Sequence, residues 1–374
     1  MQPDIASDGA YQHRGRAIID GCPHDTGEEG IGAPQRIAVY SGRDHLGDGL
    51  FKLPFLRSLR ANFPSAEIVW VTSGLCVYAD TLRETIRPYL DRVVTGTELA
   101  YSKFECIVPR KVGLGEIDIL IDTQSSIRIS IAVKRAIKPR LFISGAANYA
   151  LSAVKPRQIG LALRAKPPHL VDHLNVLALL AARGFANADR TDLILPDDLL
   201  ACARSRLPEG PAYVGFAPGA GNPKKRWPLP RFVLLARQVA SRGYTPVFFV
   251  GPEERDMLDG IRAAVPSSLF PEENLPQHAP RTPLLVSAFG QRLVAAVAND
   301  SGIGHLLSIS GIPLVLLFGV HTSAKWAPRI RQLRAIDAQT YGGTSHELIP
   351  YETVEDELTG LLNGCRAAPL PRSA

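Results

Sequence analysis

AYVGFAPGAGNPKKRWPLPRFVLLARQVASRGYTPVFFVG, residues 212–251, holds a strand, a small-residue and basic loop, a helix and a second strand in one unbroken run. Ala212 to Ala217 is short and apolar, as a strand buried on both faces must be. Leu229 to Arg242 carries helical spacing, and Thr245 to Gly251 returns to a buried strand. Strand, helix and strand at this separation is the parallel crossover unit. Downstream, Leu293 to Ala298 is a short element running into Asn299-Asp300-Ser301. A short helix from Gly302 to Ser310 is stopped by Gly311, and Leu314 to Phe318 (LVLLF) is another buried strand. Tyr351 to Asn363 is the last helix.

The same alternation occurs upstream. Arg36 to Ser41 (RIAVYS), Glu67 to Thr72 (EIVWVT), Ile117 to Asp122 (IDILID) and Arg140 to Ser144 (RLFIS) read as strands. Between them, a helix beginning at Asp48 and running to Asn62 places Leu50, Leu53, Leu56 and Leu59 at helical spacing, with Pro54 a potential kink. Ile127 to Ile137 and Leu170 to Arg183 are also helical. The pattern predicts an α/β protein with two Rossmann-like units facing a central cleft, ligands sitting at the carboxyl ends of the strands. The polar, proline-bearing stretch from Leu195 to Pro211 is the expected boundary.

Composition agrees with a globular enzyme-sized chain. There are 374 residues, 45% hydrophobic and 21% charged, enough for two domains. Nothing approaches the ~18 apolar residues of a membrane span, and residues 1–34 lack the apolar segment of a signal peptide. Five scattered cysteines, Cys22, Cys76, Cys106, Cys202 and Cys365, fit a reducing compartment. A net charge of +6 is compatible with an acidic partner such as a nucleotide or a phosphorylated lipid. No basic cluster interleaved with aromatics points to nucleic acid.

Four loops carry candidate chemistry. Ser41-Gly42-Arg43-Asp44-His45-Leu46-Gly47-Asp48-Gly49 follows the first strand. It is not a GxGxxG fingerprint. Asp48 reads either as a helix N-cap or as a carboxylate at the cleft mouth able to take a proton from a hydroxyl. His45 rivals it as base, and Arg43 is an anion contact. Pro218-Gly219-Ala220-Gly221-Asn222-Pro223-Lys224-Lys225-Arg226-Trp227-Pro228 exposes backbone N–H groups and adds the Lys225 and Arg226 charges, which reads as a phosphate cradle, with a surface basic turn as the alternative. In Asn299-Asp300-Ser301-Gly302-Ile303-Gly304-His305, Asp300 or Ser301 caps a helix whose first N–H groups can meet a diphosphate, with an ordinary capped helix and a core-facing His as the alternative. His305, one turn on, shares that face. A carboxylate of Val250-Gly251-Pro252-Glu253-Glu254 is placed to hold ribose hydroxyls, with a solvated turn as the alternative.

Taken in order, these pieces resemble glycosyltransferase family 9, the ADP-heptose:lipopolysaccharide heptosyltransferases. Gly47-Asp48, Leu53-Pro54-Phe55-Leu56-Arg57-Ser58-Leu59 and Phe63-Pro64-Ser65-Ala66-Glu67-Ile68 resemble its opening pattern. Asp118-Ile119-Leu120-Ile121-Asp122-Thr123-Gln124 resembles a later strand. Pro218-Gly219-Ala220 with Lys225-Arg226-Trp227-Pro228, and Asp300-Ser301-Gly302-Ile303-Gly304-His305-Leu306, resemble its two donor loops. The likeness extends over residues 35 to 362. Two departures stand out: Gly319-Val320-His321-Thr322 replaces Gly-Pro-Thr, and Leu307-Ser308 replaces Ala-Ala. They bear on donor and acceptor more than on fold.

The resemblance implies a GT-B fold. Residues 1–34 are a flexible extension, 35–200 an acceptor domain, 205–350 a nucleotide-sugar donor domain, and 351–374 a final helix and tail. It implies an inverting transfer of heptose from ADP-heptose to a lipopolysaccharide core or related glycan. Asp48 is the base. Gly47, Gly219, Ala220, Lys225, Glu254, Asp300, Ser301, Gly302 and His305 form the donor and phosphate site. No metal or cofactor beyond the nucleotide sugar is implied. The expected setting is cytoplasmic, with an acidic glycolipid acceptor and peripheral contact with the inner membrane. A sugar-nucleotide epimerase of the same fold, or a non-catalytic nucleotide-sugar-binding protein, are the alternatives.

Overall fold

The computed structural model describes residues 34–161, 163, 166–183, 195–251 and 254–367. The expected extension, residues 1–34, lies outside them apart from Pro34. The described residues fall in one compact unit, Pro34–Ala374. The first half runs β1 (Arg36–Tyr40), α1 (Leu46–Asn62), β2 (Glu67–Val71), α2 (Arg83–Ile86), β3 (Arg92–Val94), β4 (Ile119–Asp122), α3 (Ile127–Ile137), β5 (Leu141–Ser144) and α4 (Leu170–Ala181). The second runs α5 (Asp197–Arg206), β6 (Tyr213–Ala217), α6 (Leu229–Ser241), β7 (Thr245–Phe248), α7 (Met257–Ala264), α8 (Leu284–Gly290), β8 (Leu293–Asn299), α9 (Gly302–Ser308), β9 (Leu314–Phe318), α10 (Ser323–Trp326), β10 (Leu333–Asp337) and α11 (Tyr351–Ala367).

Each half is a five-stranded parallel sheet. The order is β3-β2-β1-β4-β5 in the first and β10-β9-β8-β6-β7 in the second. Chain order reverses between β1 and β4 in one sheet and between β6 and β8 in the other, so each sheet has one crevice at its carboxyl edge where ligands belong. The central strands are apolar throughout because helices cover both faces: Ile37, Val39, Ile121, Phe216, Val297 and Leu316 are wholly buried.

Several expectations change. Helix α1 starts at Leu46, not Asp48, and continues through Pro54 without a break in its assigned span. The Leu195–Pro211 stretch contains α5, which packs on α8. A boundary at residues 200–205 therefore falls inside a helix. Its low apolar content hid it, since only Leu199 and Ala203 are buried. Strands β3 and β10 also went unread. Both are edge strands, partly exposed, so they lack an apolar run.

Contacts between the halves centre on α1 and α9. Phe51 of α1 meets the His305 ring of α9 edge-on at 4.9 Å and the Trp326 ring at 6.1 Å. Farther along the seam, His169 Nε2 bonds the Ala327 carbonyl at 2.8 Å and Arg329 pairs with Asp172 at 2.7 Å.

Candidate functional site

The loops expected to bind occupy the two crevices. The loop after β1 contacts the loop after β4: a Cβ on Gly42 would stand 3.3 Å from the Gln124 side chain. Below it lies a buried network that sequence reading missed. Lys52 pairs with Asp44 and donates to Ser41 Oγ at 2.6 Å, while Trp70 Nε1 donates to Asp44 Oδ2 at 2.8 Å. A buried ion pair adds little net stability over apolar packing, but it ties the loop to β1, α1 and β2. The clue was a lysine inside the apolar run Leu50 to Leu56.

His45, exposed, is the N-cap of α1. Asp48 sits at the third helical position and its Oδ2 accepts the His45 N–H at 3.2 Å. This corrects the N-cap alternative for Asp48: it is the reaching-back member of a capping box. Its carboxylate is half-buried. Arg43 is exposed and donates to the Tyr101 hydroxyl at 3.2 Å. Gly47 lies against the second half: a Cβ there would stand 2.7 Å from His305 Cδ2, so only glycine lets α1 approach α9 this closely.

Across the cleft, the loops after β6 and β8 converge on one carboxylate. Asp300 is 2% exposed. Its Oδ2 is 3.0 Å from Lys225 Nζ and 2.7 Å from His321 Nδ1, and its Oδ1 is 3.4 Å from His305 Nε2. Burial alone would raise this carboxyl, but the hydrogen bonds and charges of His305 and Lys225 outweigh burial and hold it well below the usual carboxylate range. His321 Nδ1 also lies 3.0 Å from Lys225 Nζ. One ring nitrogen cannot donate to Asp300 and accept from Lys225 at once, so the trio holds one hydrogen bond fewer than its distances allow. His321 was visible in the sequence only as a departure from the family pattern; it stacks on Trp326 at 5.4 Å.

Ser301, not Asp300, caps α9, accepting the Gly304 N–H at 3.3 Å. Gly302 opens the helix. With seven residues α9 has a weak dipole, and the charge of Lys225 beside it is paired with Asp300. Asn299 is a second missed residue. Its Nδ2 donates to the Pro218 carbonyl at 2.8 Å and its Oδ1 accepts the Trp227 N–H at 3.0 Å, clamping both ends of the Gly219–Ala220–Lys225 loop. Arg226 donates through Nε to the Ala220 carbonyl at 2.9 Å and through Nη2 to Glu254 Oε1 at 3.0 Å. Glu254 is buried against Gly219, where a Cβ would stand 2.8 Å from its Cδ. It is therefore brought to the site but committed in part to Arg226. Glu253 lies outside the described residues.

A cavity of about 670 Å³ opens beside these loops, within the size range of small-molecule sites. Leu46, Val250, Gly251, Leu275, Gly302 and Ile303 line it. Glu272 is also on its wall, its carboxyl pushed up to about 7 by burial.

Comparison with known proteins bears on the fold and the family. The fold is similar to the glycosyl transferase family 9 protein from Veillonella parvula, with a TM-score of 0.64 at 20% identity over 88% of this chain and 98% of that one. It is also similar to E. coli ADP-heptose lps heptosyltransferase II, with a TM-score of 0.59 at 21% identity over 89% and 100%. At such identity the likeness is one of fold, the two-domain GT-B type. In sequence, the lipooligosaccharide heptosyltransferase 2 of Haemophilus influenzae is 32% identical over 117 residues, 31% of this chain and 33% of the relative. The chain thus spans about a third of the length of this curated relative. The model of glycosyltransferase family 9 (heptosyltransferase) matches residues 108–348. With well over half of its length matched, the chain belongs to glycosyltransferase family 9.

Proposed function

We propose that the protein is an inverting glycosyltransferase that moves heptose from ADP-heptose to a lipopolysaccharide core or related acidic glycan. One observation carries the reading. Gly47, next to Asp48, packs on His305, and His305 joins Asp300 and Lys225 in one polar cluster. A carboxylate able to accept a proton and a cationic loop able to hold a diphosphate thereby face one cleft. The E. coli structural relative, an ADP-heptose enzyme by its description, supports this donor.

In this mechanism the base and ribose of the donor occupy the cavity by Val250, Gly251 and Ile303, and the diphosphate lies over Gly219 and Ala220 beside Lys225. Asp48 accepts the proton of an acceptor hydroxyl, whose oxygen attacks the anomeric carbon from the face opposite the diphosphate. Negative charge grows on the departing oxygen as the glycosidic bond breaks. Lys225 and the loop N–H groups stabilise it. Asp300 keeps Lys225 in place, and Asn299 fixes the loop that carries it.

Calorimetry with ADP, UDP, GDP and CDP, on wild type and Lys225→Ala, tests the donor site. ADP preference weakened by Lys225→Ala is the expected result; no nucleotide binding at all would sink the reading. ADP-heptose supplied with and without a core-oligosaccharide acceptor then separates transfer from epimerisation, since only an epimerase converts the donor alone.

A further inference from the structure

We propose that His321 is a positioning residue which, by taking a proton, gives Asp300 a firm second partner and frees Lys225 for the donor diphosphate. The inference rests on the transferase reading, since it needs a diphosphate beside Lys225. His321 stands where the family pattern has Gly-Pro-Thr, so the resemblance gives it no role.

A lysine ammonium has three hydrogens to donate. With no proton on His321 Nδ1, that nitrogen accepts from Lys225 at 3.0 Å, while Lys225 also donates to Asp300 Oδ2 at 3.0 Å. One hydrogen of Lys225 is left for a ligand. With a proton on Nδ1, the ring donates to the same Asp300 oxygen, 2.7 Å away, and no longer accepts from Lys225. A second hydrogen of Lys225 is then released. Asp300 is 2% exposed, and a carboxylate buried so deeply must keep its partners as the lysine turns to the ligand. The ring is held in place for this exchange. It stacks on Trp326 at 5.4 Å, and Gln339 Nε2 donates to the His321 carbonyl at 3.2 Å.

Charged neighbours act on that proton from several elements. Asp300 favours it. Lys225 opposes it, as does Lys325 of α10, whose ammonium lies 4.9 Å from the centre of the Trp326 ring. A bound diphosphate adds negative charge beside the cluster and tips the balance toward the charged ring. Three histidines are near. His346 is 1% exposed, and burial pushes it down, so it stays neutral. The His305 side chain is 11% exposed, pressed against Gly47 and edge-on to Phe51. The His321 side chain is 37% exposed, which leaves it open to exchange a proton with water. The nucleotide-bound state thus holds this proton more tightly than the free state. The contribution to affinity is present below the histidine range and is lost as pH rises through it.

The test is calorimetry of ADP binding to the full chain from about pH 6 to about pH 8, in two buffers of different ionisation heat. His321→Asn is the comparison, because its amide can donate to Asp300 but does not titrate. Across the range wild type is expected to lose about threefold in affinity relative to this variant, the worth of one released hydrogen bond. Wild type should also take up more protons on binding. Glu272, at about 7, and the phosphate itself titrate in the same window, but equally in both proteins, so the difference reads His321. A melting curve checks that the variant folds, and His321→Gln is the second neutral replacement. In a Lys225→Ala background, His321→Asn should change nothing. Equal pH profiles and equal proton uptake by wild type and the neutral variants overturn the inference and leave the transferase reading intact. A His321 effect that survives Lys225→Ala would put the ring on the ligand itself and overturns the positioning role. No ADP binding by wild type at any pH overturns the reading and the inference together.

Discussion

Asp122 and Asp300 stand at matching places in the two halves, each at the carboxyl end of a strand flanking its sheet's crevice, and both are buried. Their neighbours differ. Asp122 is ringed by neutral donors: the Ser130 hydroxyl, the Ser144 hydroxyl at 3.1 Å and the Gln124 N–H at 2.9 Å. Burial outweighs those bonds and pushes its carboxyl up to about 6. Asp300 is ringed by Lys225, His305 and His321, and is held down instead. The ends of corresponding strands thus carry a carboxyl that protonates easily in one half and a fixed anion in the other. What sits beside the group decides, not where the strand ends. Under the proposed mechanism the first half supplies the proton acceptor through Asp48, not through the buried Asp122, and the second half holds charge.

The sharpest way to break this division is Asp48→Ala. Turnover should fall about 10²- to 10⁴-fold, the usual worth of a general base, with ADP affinity retained. Comparable turnover by the variant in a transfer assay would remove the proton-exchanging role from the first half. Asp300→Asn should come next, costing about 3 kcal/mol of stability, because it strips the partner from a largely buried cation. Urea unfolding at pH 8 checks this, and a change below about 1 kcal/mol would mean that Lys225 simply swings to water.

Asp122→Asn sharpens the contrast through pH. A carboxyl whose folded value is raised to about 6 binds more protons folded than unfolded, so its contribution to stability falls as pH rises from about 4 to 6. That fall is about 2–3 kcal/mol at most. The asparagine variant should lack it, and unfolding midpoints across that range would show two curves diverging as the pH increases. Parallel curves would make Asp122 an ordinary ionised carboxylate. Asp300 has the opposite sign: its stabilisation is present above the ordinary aspartate value and is lost as pH falls. The smallest effect is Lys225→Ala, about a tenfold loss of ADP affinity. Calorimetry at two salt concentrations should show the difference shrinking as salt rises.

Much of this was legible in the chain. The apolar runs of eight strands, the small-residue loop before Lys225, and the Asp300-Ser301-Gly302 turn are local patterns, spanning a few residues, and local sterics and burial suffice to predict them. The helix at Asp197–Arg206 and the edge strands at Arg92–Val94 and Leu333–Asp337 were hidden because their exposure leaves no apolar periodicity to read. The sequence by itself determined two parallel α/β halves and which loops lie at the ends of their strands. Only the tertiary structure decided that Lys225, 75 residues from Asp300, and His321, 96 residues from Lys225, share one carboxylate, and that Gly47 of one half abuts His305 of the other. Such partnerships depend on how strands are ordered in a sheet and how two sheets meet, and neither leaves a periodic trace along the chain.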